Sequence, residues 1–382
     1  MIEQLFFELI RVAIGTQNTL SRPPSKGEWA ELYAMAKKQS LVGICFAAVQ
    51  KLTNNQEPIT QNLDEVQYLT WMGMAAKIQQ RNETVNRQCV ELQTRLSADG
   101  IRSSILKGQG VATLYGEQLK NLRQSGDIDI YVDCGRKKAI EYTRKQQSDV
   151  DWDYKHLHLR IFPDTEVEVH YVPEVMSNLW TNRKLRKWYA DPETAKSMFQ
   201  LSGELVTPSI EFNLVYILLH AYRHFLYEGV GLRQLMDYYF VLHTSYENQN
   251  ENENFVRLLK IFGMMRFAKG IMWIMAHVFA NENDDDRSAL PLGSSKNDNL
   301  FLGIKPDETE GRYIMEQVMR GGNFGHHDER LKHSEKGNWK VEDVKRRLKH
   351  SAHLFWNYPG EVIWSPVYIV WHKAWMILHS KE

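Results

Sequence analysis

Asp127 and Asp129 stand one residue apart in the apolar run "SGDIDIYVD", a spacing that aims two carboxylates at one point. In an extended strand side chains alternate, so Asp127, Asp129, Tyr131 and Asp133 share one face while Ile128, Ile130 and Val132 take the other. Carboxylates two residues apart lie about 7 Å from one another along the backbone, and each raises the pKa of the other unless a cation sits between them. A divalent ion such as Mg²⁺ resolves that conflict: it takes a few carboxylate oxygens, keeps waters and completes its shell with substrate phosphate. A solvated strand edge would also accommodate a bare D-x-D pair, so the neighbours decide between the two.

Upstream, "SILKGQG" reads as a strand followed by a glycine turn. Gly108 and Gly110 open a short helix, whose free backbone N–H groups suit phosphate oxygens. Lys107 and Arg123 bracket that turn and would neutralise a triphosphate. Downstream, "YKHLHLRI" and "TEVEVHY" alternate and predict a hairpin around Pro163 and Asp164. Placing Arg160 opposite Glu166, His158 opposite Glu168 and His156 opposite His170 gathers the polar side chains on one face. Leu157, Leu159, Val167 and Val169 then form the other. Glu168 thereby becomes a candidate third carboxylate, and the set has the parts of a two-metal phosphoryl-transfer site. His156, His158 and His170 would serve as bases or phosphate ligands, or simply orient Glu168.

The elements that must position these residues divide into three regions. Residues 1–100 read as helices, with a capping box at Asn62 and Glu65 opening a long helix that ends near Ala98 before Gly100. Residues 101–175 form the sheet core, including a polar helix near Arg136 to Gln147. Residues 176–382 are helical again, with "IEFNLVYILLHAYRHFLYEGVGLRQLMDYYFVLHT" broken at Gly229 and Gly231. The polar stretch "NENDDDRSALPLGSSKNDN" reads as an insertion loop, and the Trp-rich "YIVWHKAWMIL" as a docked terminal helix, too short to span a bilayer. A small sheet between helical regions predicts an α+β fold.

Lys plus Arg (47) equals Asp plus Glu (47), so no global field draws the chain to nucleic acid or an anionic membrane. Cys45, Cys89 and Cys134 show no metal or disulfide spacing, which fits a reducing cytoplasm.

With these motifs in place, "LKGQG", "RQSGDIDIYV" and "VEVHY" resemble the nucleotidyltransferase superfamily that shares the DNA polymerase β-like core. More narrowly, together with "HAYRH" and "GVGLRQLMDYY", they are similar to the bacterial "uncharacterised nucleotidyltransferase" family over about Leu92 to Leu242. The resemblance implies that Asp127, Asp129 and Glu168 bind Mg²⁺ or Mn²⁺ and that Gly108 shapes the phosphate turn. Gln109 departs from the usual Gly or Ser and takes a place among the substrate-binding residues beside Lys107. The helical unit then closes over the nucleotide, with Arg233 directed to phosphates and Asp237 orienting Arg233 or an acceptor hydroxyl; an internal pair between the two, one turn apart, accounts for them equally. His220 and His224 share a helix face with no HExxH pattern, which argues against a transition-metal role with Asp237. The activity expected is transfer of a nucleoside monophosphate from an NTP to an acceptor: a small molecule, a saccharide or a protein. Two other readings stand beside it: a catalytically weak nucleotide-binding or protein-interaction module, and a metal-dependent phosphohydrolase.

Overall fold

The computed structural model describes residues 2–55, 58–245, 252–280, 302–323 and 352–379. Helices α1 (Ile2–Ile14), α2 (Lys26–Lys38), α3 (Val42–Asn54) and α4 (Glu65–Ala98) lead into the strand β1 (Ser103–Ile105). Single-turn helices α5 (Gln109–Ala112) and α6 (Gly116–Leu119) follow, then β2 (Ile128–Val132), α7 (Gly135–Gln146), β3 (His156–His158) and β4 (Val167–His170). The rest comprises α8 (Leu179–Tyr189), α9 (Pro192–Ser197), a small hairpin of β5 (Gln200–Ser202) and β6 (Leu205–Thr207), and the helices α10 (Ile210–Tyr227), α11 (Leu232–Ser245), α12 (Asn252–Ile261), α13 (Met265–Ile274), α14 (Glu308–Gly321), α15 (Pro359–Val362) and α16 (Trp364–His379). The fold is α+β, as the pattern predicts. The polar insertion at 281–299 lies outside the described residues.

Strand order in the main sheet is β1-β2-β4-β3, with β2 and β4 parallel and both outer pairs antiparallel. Alternation gives this sheet two unlike faces. Ile128, Ile130, Val132, Leu157, Val167 and Val169 bury one face against Val85, Cys89 and Leu92 of α4 and Ile140 of α7. Burying each such side chain stabilises the fold by roughly 1.5–3 kcal/mol, so the apolar face fixes the register of the polar one. A larger second core joins the N-terminal helices to α10, α11 and α13, so regions far apart in sequence meet above the polar face.

The long helix α4 is capped by Asp64, whose side chain accepts from Gln67 N–H while Gln67 reaches back. The capping box therefore lies two residues beyond the Asn62 and Glu65 pair read from the sequence. Asn62 instead donates to Pro24 O across the fold. The hairpin register holds at His156↔His170 and His158↔Glu168. Arg160 falls past the end of β3, and the Glu166 carboxylate reaches diagonally to His158, its Oε1 2.9 Å from Nδ1. Among the described residues no helix is long and apolar enough to cross a membrane. Helix α16 docks through Trp371 and Trp375 on Tyr154, with ring centroids 4.9 and 5.0 Å apart.

Candidate active site

The polar face of the sheet opens into a cleft of about 740 Å³, walled by α10, α11 and α16. Asp127 enters it from the residue before β2, and Asp129 from within that strand. Glu168 lies opposite Asp129 on the parallel neighbour β4. The three carboxylates that the resemblance singles out thus converge on one surface, and all line the cleft.

Asp129 is buried, and two cations reach it. Lys107 Nζ lies 2.8 Å from its Oδ1, and His170 Nε2 lies 2.8 Å from the same oxygen. Lys107 gets there because pairing continues one residue past β1, where Leu106 N–H donates to Asp129 O. His170 Nε2 also lies 3.2 Å from Glu168 Oε2, so one imidazole bridges the two acids.

The electrostatic consequences differ among the three. Burial works against ionised Asp129, but the Lys107 charge and the His170 hydrogen bond hold it well below the carboxylate range. Glu168 likewise overcomes burial through the His170 hydrogen bond and falls to about 2. Asp127 goes the other way: the like charge of Asp129, then desolvation by the cleft walls around its water-facing carboxyl, raise it to about 6. It makes no ion pair among the described residues. Burial lowers His156 to about 4, while the acids around it hold Lys107 and His170 protonated above their ordinary values.

The turn after β1 is built for close approach. Gly108 has φ +52°, a left-handed conformation that side chains rarely adopt. A Cβ on Gly110 would meet Ile105 O at 2.4 Å. Gln109, expected at the substrate, is absent from the cleft lining. It is buried against α4, donating to Asn86 Oδ1 at 2.6 Å and Asn82 Oδ1 at 3.2 Å. Asn82 in turn donates to Asn121 O and Arg123 O, so α4 fastens both ends of the loop that carries the cleft's cations.

Arg123 lines the cleft but is buried and engaged, giving Asp237 two hydrogen bonds of 2.7 Å, while Tyr115 donates a third at 2.6 Å. Arg233 sits beside this group and donates to Gln124 O at 2.8 Å. Burial and the Arg123 charge lower it to about 10. Asp237 thus accepts its hydrogen bonds from Arg123 and Tyr115, while its charge also acts on Arg233 one turn away.

Two features escaped the sequence reading. Glu174, just past β4, is buried under Arg223 (2.5 Å), His220 (3.3 Å) and Lys155 (3.6 Å). His220 is thus a partner of Glu174, and the donor groupings that could hold an ion among the described residues include neither it nor His224. The second feature is α16, whose Tyr368, His372 and Lys373 form the wall across from the sheet.

A four-stranded mixed sheet carrying a D-x-D strand, a third acid on the parallel neighbour and a glycine turn beside them defines an α+β nucleotidyltransferase core. The chain belongs to the family described as "Uncharacterised nucleotidyltransferase", whose model matches residues 25–280. No curated protein and no solved structure matches it. Helix α16 lies outside the matched span.

Proposed function

We propose that this cleft transfers a nucleoside monophosphate from an NTP to an acceptor hydroxyl. The observation that carries the reading is the meeting of Asp127, Asp129 and Glu168 on one cleft face, with Asp127 raised to about 6 because the like charge of Asp129 and desolvation outweigh the Lys107 charge. Carboxylates in that state suit a divalent ion. Mg²⁺ or Mn²⁺ held by Asp127, Asp129 and Glu168 would supply the positive charge that offsets a triphosphate.

The chain's own groups do the rest. Lys107, already within 2.8 Å of Asp129, offers its ammonium to phosphate oxygens from the same wall. Gly108 keeps that wall free of a side chain where a phosphate must come close. The bond from acceptor oxygen to the α-phosphorus forms as the bond to the bridging β-oxygen breaks, whose electron pair leaves with pyrophosphate. Glu168, expected from the sequence both to help hold a metal and to deprotonate the acceptor hydroxyl, is kept at about 2 by the His170 hydrogen bond, so it serves as a ligand and the hydroxyl proton passes to water in the cleft. Arg233 faces the cleft beside Asp127, while Arg123 and Asp237 hold each other and so position Arg233 and the loop. Tyr368 and Lys373 of α16 also line this cleft and are the groups nearest to hand for an acceptor.

The test incubates the protein with each α-labelled NTP, Mg²⁺ or Mn²⁺, and a cell extract as the source of acceptors. A labelled product larger than the nucleotide, with matching pyrophosphate, is the expected result. Free nucleoside monophosphate formed without extract would make the protein a phosphohydrolase. One observation favours the non-catalytic reading: Lys107 occupies the Asp129 oxygen that an ion would share. NTP binding by calorimetry with no labelled product would support it.

A further inference from the structure

The sheet presents a second grouping beside the carboxylates. Across β3, β4 and β2, His158, Glu168 and Asp129 stand in one row, and His156 and His170 stand side by side in the next. Glu168 is the centre of this array, and each of its oxygens approaches a different imidazole. Oε2 lies 3.2 Å from His170 Nε2, while Oε1 lies 3.8 Å from His156 Nε2. The second distance is too long for a hydrogen bond. It is close to the separation of roughly 3.5 Å between two donors that share one tetrahedral ion at 2.0–2.2 Å. Donor atoms of His156, His158 and Glu168 all lie within 4.8 Å of one another.

The surroundings match a ligand set as well. A metal-bound imidazole usually keeps its other nitrogen against a carboxylate, which fixes the ring. Here His156 Nδ1 lies 3.7 Å from Asp153 Oδ1 and His158 Nδ1 2.9 Å from Glu166 Oε1, acids close by, though neither ring nitrogen makes a hydrogen bond. Asp153 is itself held, accepting from the N–H groups of Lys155 and His156 at 2.7 and 2.8 Å. Both histidines thus keep a buried ring nitrogen without a hydrogen bond and share Glu168 as a neighbour.

We infer that His156, His158 and Glu168 form a nitrogen-rich cation site that takes a borderline transition ion of the Zn²⁺ class. Imidazole donors select such ions over Mg²⁺, which prefers oxygen. The site is separate from the Asp127 and Asp129 position but shares Glu168 with it, one oxygen to each side. It does not depend on nucleotidyl transfer taking place.

The experiment strips the full chain with a chelator, titrates Co²⁺ by its visible d–d bands, and displaces it with Zn²⁺. Saturable bands are expected in the wild type and in Asp127→Asn, with affinity lower by about tenfold or more in His158→Gln. Circular dichroism of the metal-free variant checks that it folds; should it not, His156→Gln carries the same expectation. Absence of the bands in the wild type overturns the site. So does their loss in Asp127→Asn with retention in a folded histidine variant, which would place the ion among the aspartates. Pyrophosphate release, measured separately, reports on the transfer reading and is untouched by either outcome.

Discussion

Two sets of acidic side chains line or border the same fold, and they are balanced in different ways. In the helical half three buried acids face an arginine, Asp237 with Arg123 at 2.7 Å, Glu174 with Arg223 at 2.5 Å and Glu310 with Arg266 at 2.5 Å, while buried Glu8 and Glu361 accept from backbone N–H groups. On the sheet, Asp127, Asp129 and Glu168 share Lys107 and His170, and no arginine pairs with them among the described residues. The first arrangement is closed, since a guanidinium beside each carboxylate, bidentate at Asp237, satisfies it and leaves little for a ligand. The second is open, and the raised Asp127 is the measure of it. Burial alone does not mark a functional acid here; the lack of a dedicated partner does.

The largest effect should come from breaking the open set. Asp129→Asn removes the charge on which Lys107 and His170 converge, and transfer should fall by roughly 10³-fold or more, about 4 kcal/mol at the transition state. Pyrophosphate release under saturating Mg²⁺ checks it. A variant that folds and keeps a tenth of wild-type activity would place the chemistry elsewhere.

The closed set should fail in stability instead. Asp237→Asn leaves Arg123 buried with half its hydrogen bonds, at a cost of about 3–5 kcal/mol for a broken buried pair. Thermal unfolding should therefore move down by many degrees. If Asp237→Asn melted like the wild type yet lost all activity, Asp237 would belong with the open set.

The pH response separates the sets further. Asp127 is neutral below about 6, so the cleft loses one negative charge as pH falls through that value. Mg²⁺ affinity, measured calorimetrically, should weaken by about tenfold between pH 7 and pH 5. Asp129 and Glu168 stay ionised across that window and add nothing to the change. A flat profile would mean that Asp127 does not contact the ion.

The parts legible in the sequence are those set by local period. Two-residue alternation with leucine and valine on one side fixes the β3 and β4 register, because a slip of one would bury His158 and Glu168 in the apolar core. The D-x-D strand is readable for the same reason. The capping box slipped by two because Asn62 and Asp64 both begin an acceptable pattern, and only the fold shows Asn62 committed to Pro24 O. Gln109 could not be placed, since the asparagines that take its amide lie more than twenty residues upstream on another element. Glu174 and Arg223 are 49 positions apart, and α16 reaches the cleft from the far end of the chain. Such meetings depend on how helices pack, which no local period encodes.

The smallest effect tests the contrast most directly. Asp127 has a folded pKa of about 6 against an ordinary 3.8, so above pH 6 the folded state carries an ionised group that its neighbour Asp129 repels. Between 3.8 and 6 the folded chain binds more protons than the unfolded one, and stability therefore falls as pH rises through that window. Asp127→Asn removes the repulsion. In the absence of divalent ions and at pH 8, the variant should melt a few degrees higher than the wild type, the gain being limited because Asp127 is exposed to solvent at the cleft. At pH 4 the two should nearly coincide, and saturating Mg²⁺ at pH 8 should reverse the order, because the wild type alone keeps the full ligand set. The same substitution in the closed set, Asp237→Asn, should lower the melting temperature under all three conditions. An Asp127→Asn variant that is less stable than the wild type without metal would show that this acid, too, has a partner that holds the fold together.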